Sequence, residues 1–263
     1  MIRALYSAAS GMTAQQLNVD NIANNLANAN TAGFKMRRAQ FQDLLYQNMI
    51  QPGAAAGQQT TIPAGLQLGL GTRAASNEII FMQGAFSQTN NPLDFAIQGS
   101  GFFQIRQATG ELAYTRAGQF QLDRNGNVVT ANGDSLEPQI TIPNTAQNVT
   151  VAQDGTVSFT VPGQSAAQKA GQIQLANFQN PGGLNSIGSN LYLPTDASGD
   201  AVIGTPGGSE GLGKISQGYV EQSNVDVVGE FVNLIQSQRA YEANSRVVKA
   251  ADEMCQQVNQ LTQ

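Results

Sequence analysis

The sequence predicts an α+β fold in which discontinuous N- and C-terminal helices pack together in a coiled-coil-like manner. An antiparallel β domain and an extended arm or hairpin are inserted between these helices. Three observations predict this architecture: heptad patterns at both ends, a two-residue period in the middle, and a Gly/Pro-rich stretch after the first helix. The predicted segments are 1–33 for the first helix, 34–78 for the arm, 79–213 for the β domain and 214–263 for the returning helix.

The first helix is predicted from small and apolar residues that recur in steps of three and four. This spacing places them along one side of a helix that we expect to span residues 4–29. Gly33 follows, and glycine readily adopts the left-handed conformation that ends a helix. The repeating positions are Leu5, Ala8, Met12, Gln15, Val19, Ile22, Leu26 and Ala29.

The C-terminal helix is predicted from nearly the same pattern, and a capping box at Ser223 to Asp226 precedes it. Its seam contains Gln238, as the first seam contains Gln15, and Asn and Gln together make up about a fifth of the chain. Uncharged amides form hydrogen bonds without the desolvation cost of ions, which favours many neutral contacts. The seam comprises Val227, Phe231, Leu234, Gln238, Tyr241, Ser245, Val248, Ala251, Cys255 and Val258.

The arm carries a weaker signal than the helices. Residues 35–49 fit either a short helix or an extended segment, and 51–71, rich in Gly, Ala, Gln and Pro, fit a loop or a long hairpin. We interpret Lys35, Arg37 and Arg38 as a solvated turn that follows the first helix.

The β domain is predicted from short alternating segments that begin near Ile79 and are separated by turn residues. Asn125-Gly126 predicts a hairpin, because such turns require positive φ. Gly133 predicts the next corner. Strands at this spacing are typical of an antiparallel sandwich or a partial barrel.

Composition argues against several functions. The chain has no His and a single Cys, Cys255, so that intramolecular disulfides and the usual zinc ligands are absent. The net charge is −5 and no Lys/Arg cluster is present, which argues against nucleic-acid binding. We therefore predict no catalytic, cofactor or metal site. The carboxylates of the β region mostly lie at turns, and they are Asp94, Glu111, Asp123, Asp134 and Glu137.

The chain also lacks a membrane-length apolar stretch, so we expect no membrane insertion. Its first residues contain no continuous hydrophobic region, and we expect export, if any, without a cleaved signal peptide. The two terminal seams are thin, and ordering a residue costs about 1–2 kcal/mol of conformational entropy. We therefore expect both helices to gain further packing surface from neighbouring subunits.

Several motifs, in order and over essentially the whole chain, resemble those of bacterial flagellar rod and hook proteins. Near the N-terminus they are Ser10-Gly11-Met12 and the run from Asn24 to Lys35. The returning segment contributes two more, Glu221 to Asp226 and Gln238 to Asn244. The middle motifs are Ala96 to Phe103, Thr115 to Phe120 and Asn180 to Leu184.

This resemblance implies a structural subunit of a tubular helical polymer, with terminal helices lining an inner tube and the β domain outside. The Gly/Pro-rich stretch, at roughly Tyr46 to Pro63, favours the distal part of the flagellar rod, where it would lengthen an inter-subunit arm and stiffen the tube. Such a rod transmits motor torque across the periplasm to the hook. The implied partners are copies of the chain, adjacent rod and hook proteins, and the outer-membrane and peptidoglycan rings.

The resemblance also implies residue roles. A first group would shape the turn from the inner helix to the arm or start the returning helix: Asn28, Thr31, Gly33, Phe34, Asn224 and Val225. A second group would contact neighbouring inner helices: Leu5, Met12, Ile22, Leu26, Phe231, Gln238, Arg239, Tyr241 and Val248. The alternatives are another rod or hook-like protein of the same family, a secreted β-rich adhesin, and a carbohydrate-active enzyme that uses the carboxylates above.

Overall fold

The computed structural model describes residues 2–52, 64–163, 166–208 and 211–261, and these fall into two compact units. We call the first the helical unit; it comprises Met1–Ala27, Arg37–Ile79 and Asp226–Gln263. The second, the β unit, comprises Asn28–Met36 and Ile80–Val225. The predicted combination of terminal helices with a β-rich middle is confirmed.

The helical unit contains the two long helices, α1 (Ile2–Ala27) and α2 (Val227–Leu261), which pack against each other. The cap of α2 differs from the prediction. Asp226 Oδ1 accepts a hydrogen bond from the Val228 amide at 3.2 Å, and the Asp226 carbonyl accepts one from the Glu230 amide. Ser223 instead accepts a hydrogen bond from the Val225 amide, so the N-cap is Asp226.

The rest of the helical unit is extended, so the helical alternative for residues 35–49 is wrong. Strand β1 (Arg37–Asp43) pairs antiparallel with β4 (Thr72–Ile79) in a two-stranded ribbon, which we call the inner ribbon. Strand β2 (Tyr46–Ile50) pairs antiparallel with β3 (Leu66–Gly69) in a second, outer ribbon. Much of the predicted Gly/Pro-rich stretch, 53–63, lies outside the described residues.

The β unit is built from short antiparallel strands. The strands are β5 (Phe86–Gln88), β6 (Phe95–Gln98), β7 (Phe102–Arg106), β8 (Leu112–Thr115), β9 (Gln121–Leu122), β10 (Val128–Val129), β11 (Ser135–Glu137), β12 (Asn148–Val151), β13 (Thr156–Thr160), β14 (Gln168–Gln172), β15 (Leu175–Asn177), β16 (Asn185–Gly188), β17 (Leu191–Leu193), β18 (Val202–Gly204), β19 (Lys214–Gln217) and β20 (Tyr219–Glu221). The central strand of the largest sheet, β7, pairs with β8, β11 and β15. Strands β17 and β16 extend this sheet beyond β8, and β10 and β9 extend it beyond β11. Smaller sheets join β12, β13 and β14, β6 with β19, and β5 with β20.

The alternating strands turn one face inward to a continuous apolar core, which includes Phe103, Ile105, Leu136 and Ile173. The predicted hairpin joins β9 to β10. Within its turn only Gly126 has a positive φ, of 81°, while Asn125 does not. Among the described helices, none is both long and apolar enough to span a membrane.

Candidate assembly surfaces

The seam between α1 and α2 contains polar contacts at a seven-residue spacing. Asn18 Nδ2 donates a hydrogen bond to Ser237 Oγ at 2.8 Å, and Asn25 Nδ2 donates one to Glu230 Oε2 at 3.1 Å. The partner positions rise on one helix as they fall on the other, so the helices run antiparallel.

A third layer follows at the same spacing, where Gly11 faces Asn244. A Cβ atom at Gly11 would lie 2.8 Å from Asn244 Nδ2, so the glycine leaves room for the amide. The apolar pattern missed Glu230, Ser237 and Asn244 because they are polar. Their recurrence every seventh residue is the signal that could have identified them.

The structure places the predicted contact residues at different depths. Ile22 is buried in the helical unit, while Phe231 and Tyr241 are roughly half exposed. Gln238 and Arg239 are exposed. The half-buried members of the set are Leu5, Met12, Leu26 and Val248.

The first third of α2 presents an apolar stripe to solvent. Val228 is 73% exposed, and Phe231, Val232 and Ile235 are about half exposed. A shallow groove of about 370 Å³ lies on the same unit and is lined by Gln16, Val19, Gln238, Tyr241 and Glu242. Large exposed apolar patches typically mark interaction sites.

The outer ribbon β2–β3 is a second exposed apolar surface. All of its residues are exposed, including the large side chains of Tyr46, Met49, Ile50 and Leu66. A two-stranded ribbon is marginally stable in water without further packing. Both surfaces therefore leave apolar area that one chain does not cover in the described residues.

The turn of residues 28–34, which belongs to the β unit, is held by its own hydrogen bonds. Thr31 Oγ1 donates a hydrogen bond to Asn28 Oδ1 at 3.2 Å, and the Phe34 amide donates one to the Thr31 carbonyl. Gly33 has a φ of +71°, as predicted for a left-handed stop. A Cβ atom there would also lie 2.5 Å from the Ala117 amide nitrogen, so the position has two reasons to be glycine.

Asn224 joins three backbone segments within the β unit. Its Oδ1 accepts a hydrogen bond from the Met36 amide at 2.7 Å, and its Nδ2 donates to the carbonyls of Ile80 and Met82. Val225 is half-buried next to it. Asn224 therefore links the returning chain to the backbone at Met36 and at Ile80 and Met82.

Lys35 corrects the interpretation of a solvated turn, because its side chain is fully buried. Its Nζ donates hydrogen bonds to Glu221 Oε1 at 2.6 Å and to the Met82 carbonyl at 2.7 Å. The buried Arg116 places Nε 3.1 Å from the other oxygen of Glu221, and Nη1 donates to the carbonyls of Gly99 and Gly101. Two buried cations therefore share one buried carboxylate.

This cluster connects distant parts of the β unit. The Glu221 carboxylate accepts a hydrogen bond from the Gly84 amide, and its backbone carbonyl accepts one from the Gly33 amide. Burial lowers the pKa of the Lys35 ammonium below its ordinary value of 10.5, and the carboxylate opposes that change. Burial also lowers the pKa of the Arg116 guanidinium. Sequence reasoning missed the cluster because its members are 186 residues apart at most and each looks like a surface charge alone.

Three of the β-region carboxylates have structural partners. Asp94 accepts a hydrogen bond from Thr89 Oγ1, Asp123 accepts hydrogen bonds from backbone amides of its own turn, and Glu137 pairs with Arg106 at 2.9 Å. In the described part of the chain, no group of three or more His, Cys, Asp or Glu side chains is arranged to hold a metal ion.

Three family models match the chain. Residues 5–35 match the flagella basal body rod protein family, 96–159 match the flagellar hook protein FlgE/F/G D1 domain, and 216–261 match the flagellar basal body rod FlgEFG protein C-terminal family.

Several full-length relatives carry the name flagellar basal-body rod protein FlgG. The chain is 49% identical to that of Buchnera aphidicola (Schizaphis graminum), over 99% of this chain and 100% of the relative. It is 50% identical to that of Caulobacter vibrioides, over 99% of each chain. It is 45% identical to that of Borreliella burgdorferi, again over 99% of each.

Proposed function

The chain belongs to the family of the flagellar basal-body rod protein FlgG, and on that premise we propose that it polymerises into the rigid tube of the distal rod. The family is one of structural rod proteins, so the chain is a rod subunit and not an enzyme. As a stiff axial tube, the polymer would transmit motor torque across the periplasm to the hook.

The observation that carries this proposal is the apolar stripe on α2. Complete burial of one Val, Ile or Phe side chain contributes about 1.5–3 kcal/mol. The stripe from Val228 to Ile235 offers several such side chains on one face of a helix. Contact with helices of neighbouring copies would bury them, and a helical polymer repeats that contact at every subunit.

The finer architecture also belongs to this proposal. We expect α1 and α2 to form a coiled-coil-like inner tube domain from segments 1–33 and 214–263, with the arm of 34–78 reaching a neighbouring subunit. The outer ribbon β2–β3 supports that role of the arm, because its exposed apolar side chains need a partner surface. The β domain of 79–213 would face outward.

The residues proposed for these contacts divide into exposed and buried positions. Gln238 and Arg239 on the exposed side of α2 would touch neighbouring inner helices, together with the half-exposed Phe231 and Tyr241. The half-buried and buried positions, Leu5, Met12, Ile22, Leu26 and Val248, would support them from within the helix pair.

The chain is a component of the basal-body rod by its family. We propose further that it contacts adjacent rod and hook proteins along the axis and the peptidoglycan and outer-membrane rings around it. Export without a cleaved signal peptide is part of the same proposal. The full-length relatives named as rod proteins favour the rod over a hook-like role.

Electron microscopy of the purified full-length chain at rising concentration tests this function. We expect straight tubes from the parent chain. The double variant Val228→Ser/Ile235→Ser should raise the critical concentration at least tenfold, because each 1.4 kcal/mol of lost contact changes an equilibrium constant tenfold. The neighbouring exposed change Gln236→Ser is the matched control and should leave it unchanged.

Other outcomes would contradict the proposal in specific ways. Curved or supercoiled tubes would support the hook-like alternative. Persistent monomers, even when preformed rod ends are added, would overturn the proposed polymerisation.

A further inference from the structure

We propose that Ser10, Asn21 and Asn25 of α1 are positioning residues that fix the inner ribbon β1–β4 along the helix and thereby set the direction of the arm. The inference deepens the proposed function, on which its consequence for the polymer rests. Its contacts lie within the helical unit of one subunit, so it can be tested without a polymer.

Asn25 uses its whole carboxamide to hold the start of β1. Its Oδ1 accepts a hydrogen bond from the Arg37 amide at 2.8 Å, and its Nδ2 donates one to the Arg37 carbonyl at 2.8 Å. The side chain therefore pairs with Arg37 as a neighbouring strand residue would. The second Nδ2 hydrogen reaches Glu230 of α2. Asn25 is 1% exposed, and an aspartate or an apolar residue there could not form all three bonds.

Two further contacts hold β4. Asn77 Nδ2 donates a hydrogen bond to Asn21 Oδ1 at 2.8 Å, close to the Asn25 contact. At the other end, the Thr72 amide donates one to Ser10 Oγ at 3.3 Å. Gly71 packs directly on the same hydroxyl, because a Cβ atom there would lie 2.2 Å from Ser10 Oγ.

The spacing of these contacts fixes the direction of the ribbon. Ser10 and Asn21 are separated by about 16 Å along the helix, at 1.5 Å per residue. Thr72 and Asn77 are also separated by about 16 Å along the strand, at 3.3 Å per residue. Because the two lengths agree and rise in the same direction, β4 runs nearly parallel to the axis of α1.

Polar contacts have this role because the ribbon has almost no apolar attachment. Among the residues of β1 and β4, all of which the structure describes, only Ile79 is buried. Hydrophobic burial is not directional, whereas a hydrogen bond constrains both distance and angle. The three contacts therefore specify the position of the ribbon more than its stability.

The end of the inner ribbon near Gly71 sets the direction of the outer ribbon. The Leu44 amide donates a hydrogen bond to the Gly71 carbonyl at 2.9 Å, just beyond β1 and β4. The chain continues from there into β2 and returns through β3. Fixing Gly71 on Ser10 therefore fixes the direction in which the exposed apolar ribbon β2–β3 leaves the helices.

Spin-label distances in the full-length chain test the proposal, with Cys255→Ser as the common background. One label pair, at Ala75→Cys and Ala243→Cys, reports the ribbon against α2. A second pair, at Ala9→Cys and Ala243→Cys, reports the two helices alone. All three labelled positions are exposed.

The informative variant is Ser10→Ala/Asn77→Ala, because it removes the acceptor of the Thr72 amide and the donor to Asn21 Oδ1 and leaves the α1–α2 contacts of Asn18 and Asn25 intact. We expect narrow distributions for both pairs in the parent. The variant should at least double the width of the ribbon distribution and leave the helix distribution unchanged. Ser76→Ala, on the adjacent exposed position, is the matched control and should change neither.

A second set of variants separates the contact of Asn25 with the inner ribbon from its contact with α2. Asn25→Asp should broaden the ribbon distance, because it removes both donated bonds and places a carboxylate against Glu230. Adding Glu230→Gln restores a bond between positions 25 and 230 but leaves the Arg37 carbonyl without its donor, so the ribbon distribution should stay broad.

Three outcomes would overturn the proposal. The first is a ribbon distribution that stays narrow in Ser10→Ala/Asn77→Ala. The second is a broad ribbon distribution already in the parent chain. The third is equal broadening of both label pairs, which would mean that the ribbon and the helices form one cooperative structure. None of these readings depends on tube formation, so a failure here is distinct from a failure to polymerise.

Discussion

The two units of this chain bury different kinds of side chain. The β unit encloses a continuous apolar core in which residues such as Phe103, Ile105 and Leu136 are fully buried. The helical unit places Asn18, Asn25 and their polar partners between its helices and leaves apolar side chains outside. Burial of apolar surface is the main favourable term in folding. The β unit therefore derives its stability from its own interior, whereas the helical unit leaves much of its apolar surface exposed.

This difference matches the demands on an assembling subunit. A unit that already buries its apolar side chains can fold before assembly, and its structure should change little when it assembles. A helix pair with a polar seam gains less from one partner, and under the proposed function further copies would supply the remaining burial. The β unit does carry a large desolvation cost, and it is concentrated in the buried charges of the Lys35–Glu221–Arg116 cluster.

The largest expected effect comes from breaking that cluster. Glu221→Ala would leave two buried cations without a carboxylate, and loss of one partner of a buried ion pair typically costs about 3–5 kcal/mol. Urea unfolding followed by circular dichroism measures the loss. Glu221→Gln, which keeps an acceptor for the Gly84 amide, should fold and show a smaller decrease.

The exposed pair Arg106–Glu137 provides the control, because its side chains lie 2.9 Å apart but remain partly in water. Glu137→Ala should cost less than about 1 kcal/mol. Similar losses for Glu221→Ala and Glu137→Ala would contradict the view that the β unit is held by its interior.

Local periodicity was sufficient to predict the helices and much of the β unit. The steps of three and four are repeated many times in each helix, and the alternation in the strands places apolar side chains on one face. The predicted capping residue lies three positions before the observed one. Ser223 and Asp226 are both good N-cap residues, and only the structure shows that α2 begins after Asp226.

The polar contacts were much harder to predict. Lys35, close to Arg37 and Arg38, looks like part of a solvated turn, because nothing near it in the sequence indicates that Glu221 is its partner. The asparagines of α1 look like weak helix formers, and their value depends on backbone groups of a distant strand. Such contacts depend on which distant segments the chain topology brings together, and a pattern of hydrophobicity does not contain that information.

A smaller effect is expected from a polar contact in the helical unit. Ser237→Ala removes the acceptor of the Asn18 amide, at a cost of about 1 kcal/mol, since Asn18 is half-buried and water can replace the hydroxyl. Thermal unfolding of the helical signal measures it. Ser245→Ala makes the same change two turns further along α2 and should cost less. A loss as large as that of Glu221→Ala would remove the distinction between the two units.

The smallest effect concerns acid sensitivity in a surface turn of the β unit. Hydrogen bonds from backbone amides, that of Asn127 first, lower the pKa of Asp123 below its ordinary value of 3.8. Because the folded-state pKa is the lower one, the ionised carboxylate stabilises the fold fully above the unfolded-state pKa. That contribution is lost as pH falls through the folded-state pKa.

Carbon-13 titration of the Asp123 carboxyl should therefore give a midpoint below 3.8. Asp123→Asn retains an oxygen acceptor for the turn but does not titrate, so it should remove this part of the acid dependence of the unfolding free energy. A midpoint at or above the ordinary value would mean that the turn does not hold its hydrogen bonds in solution.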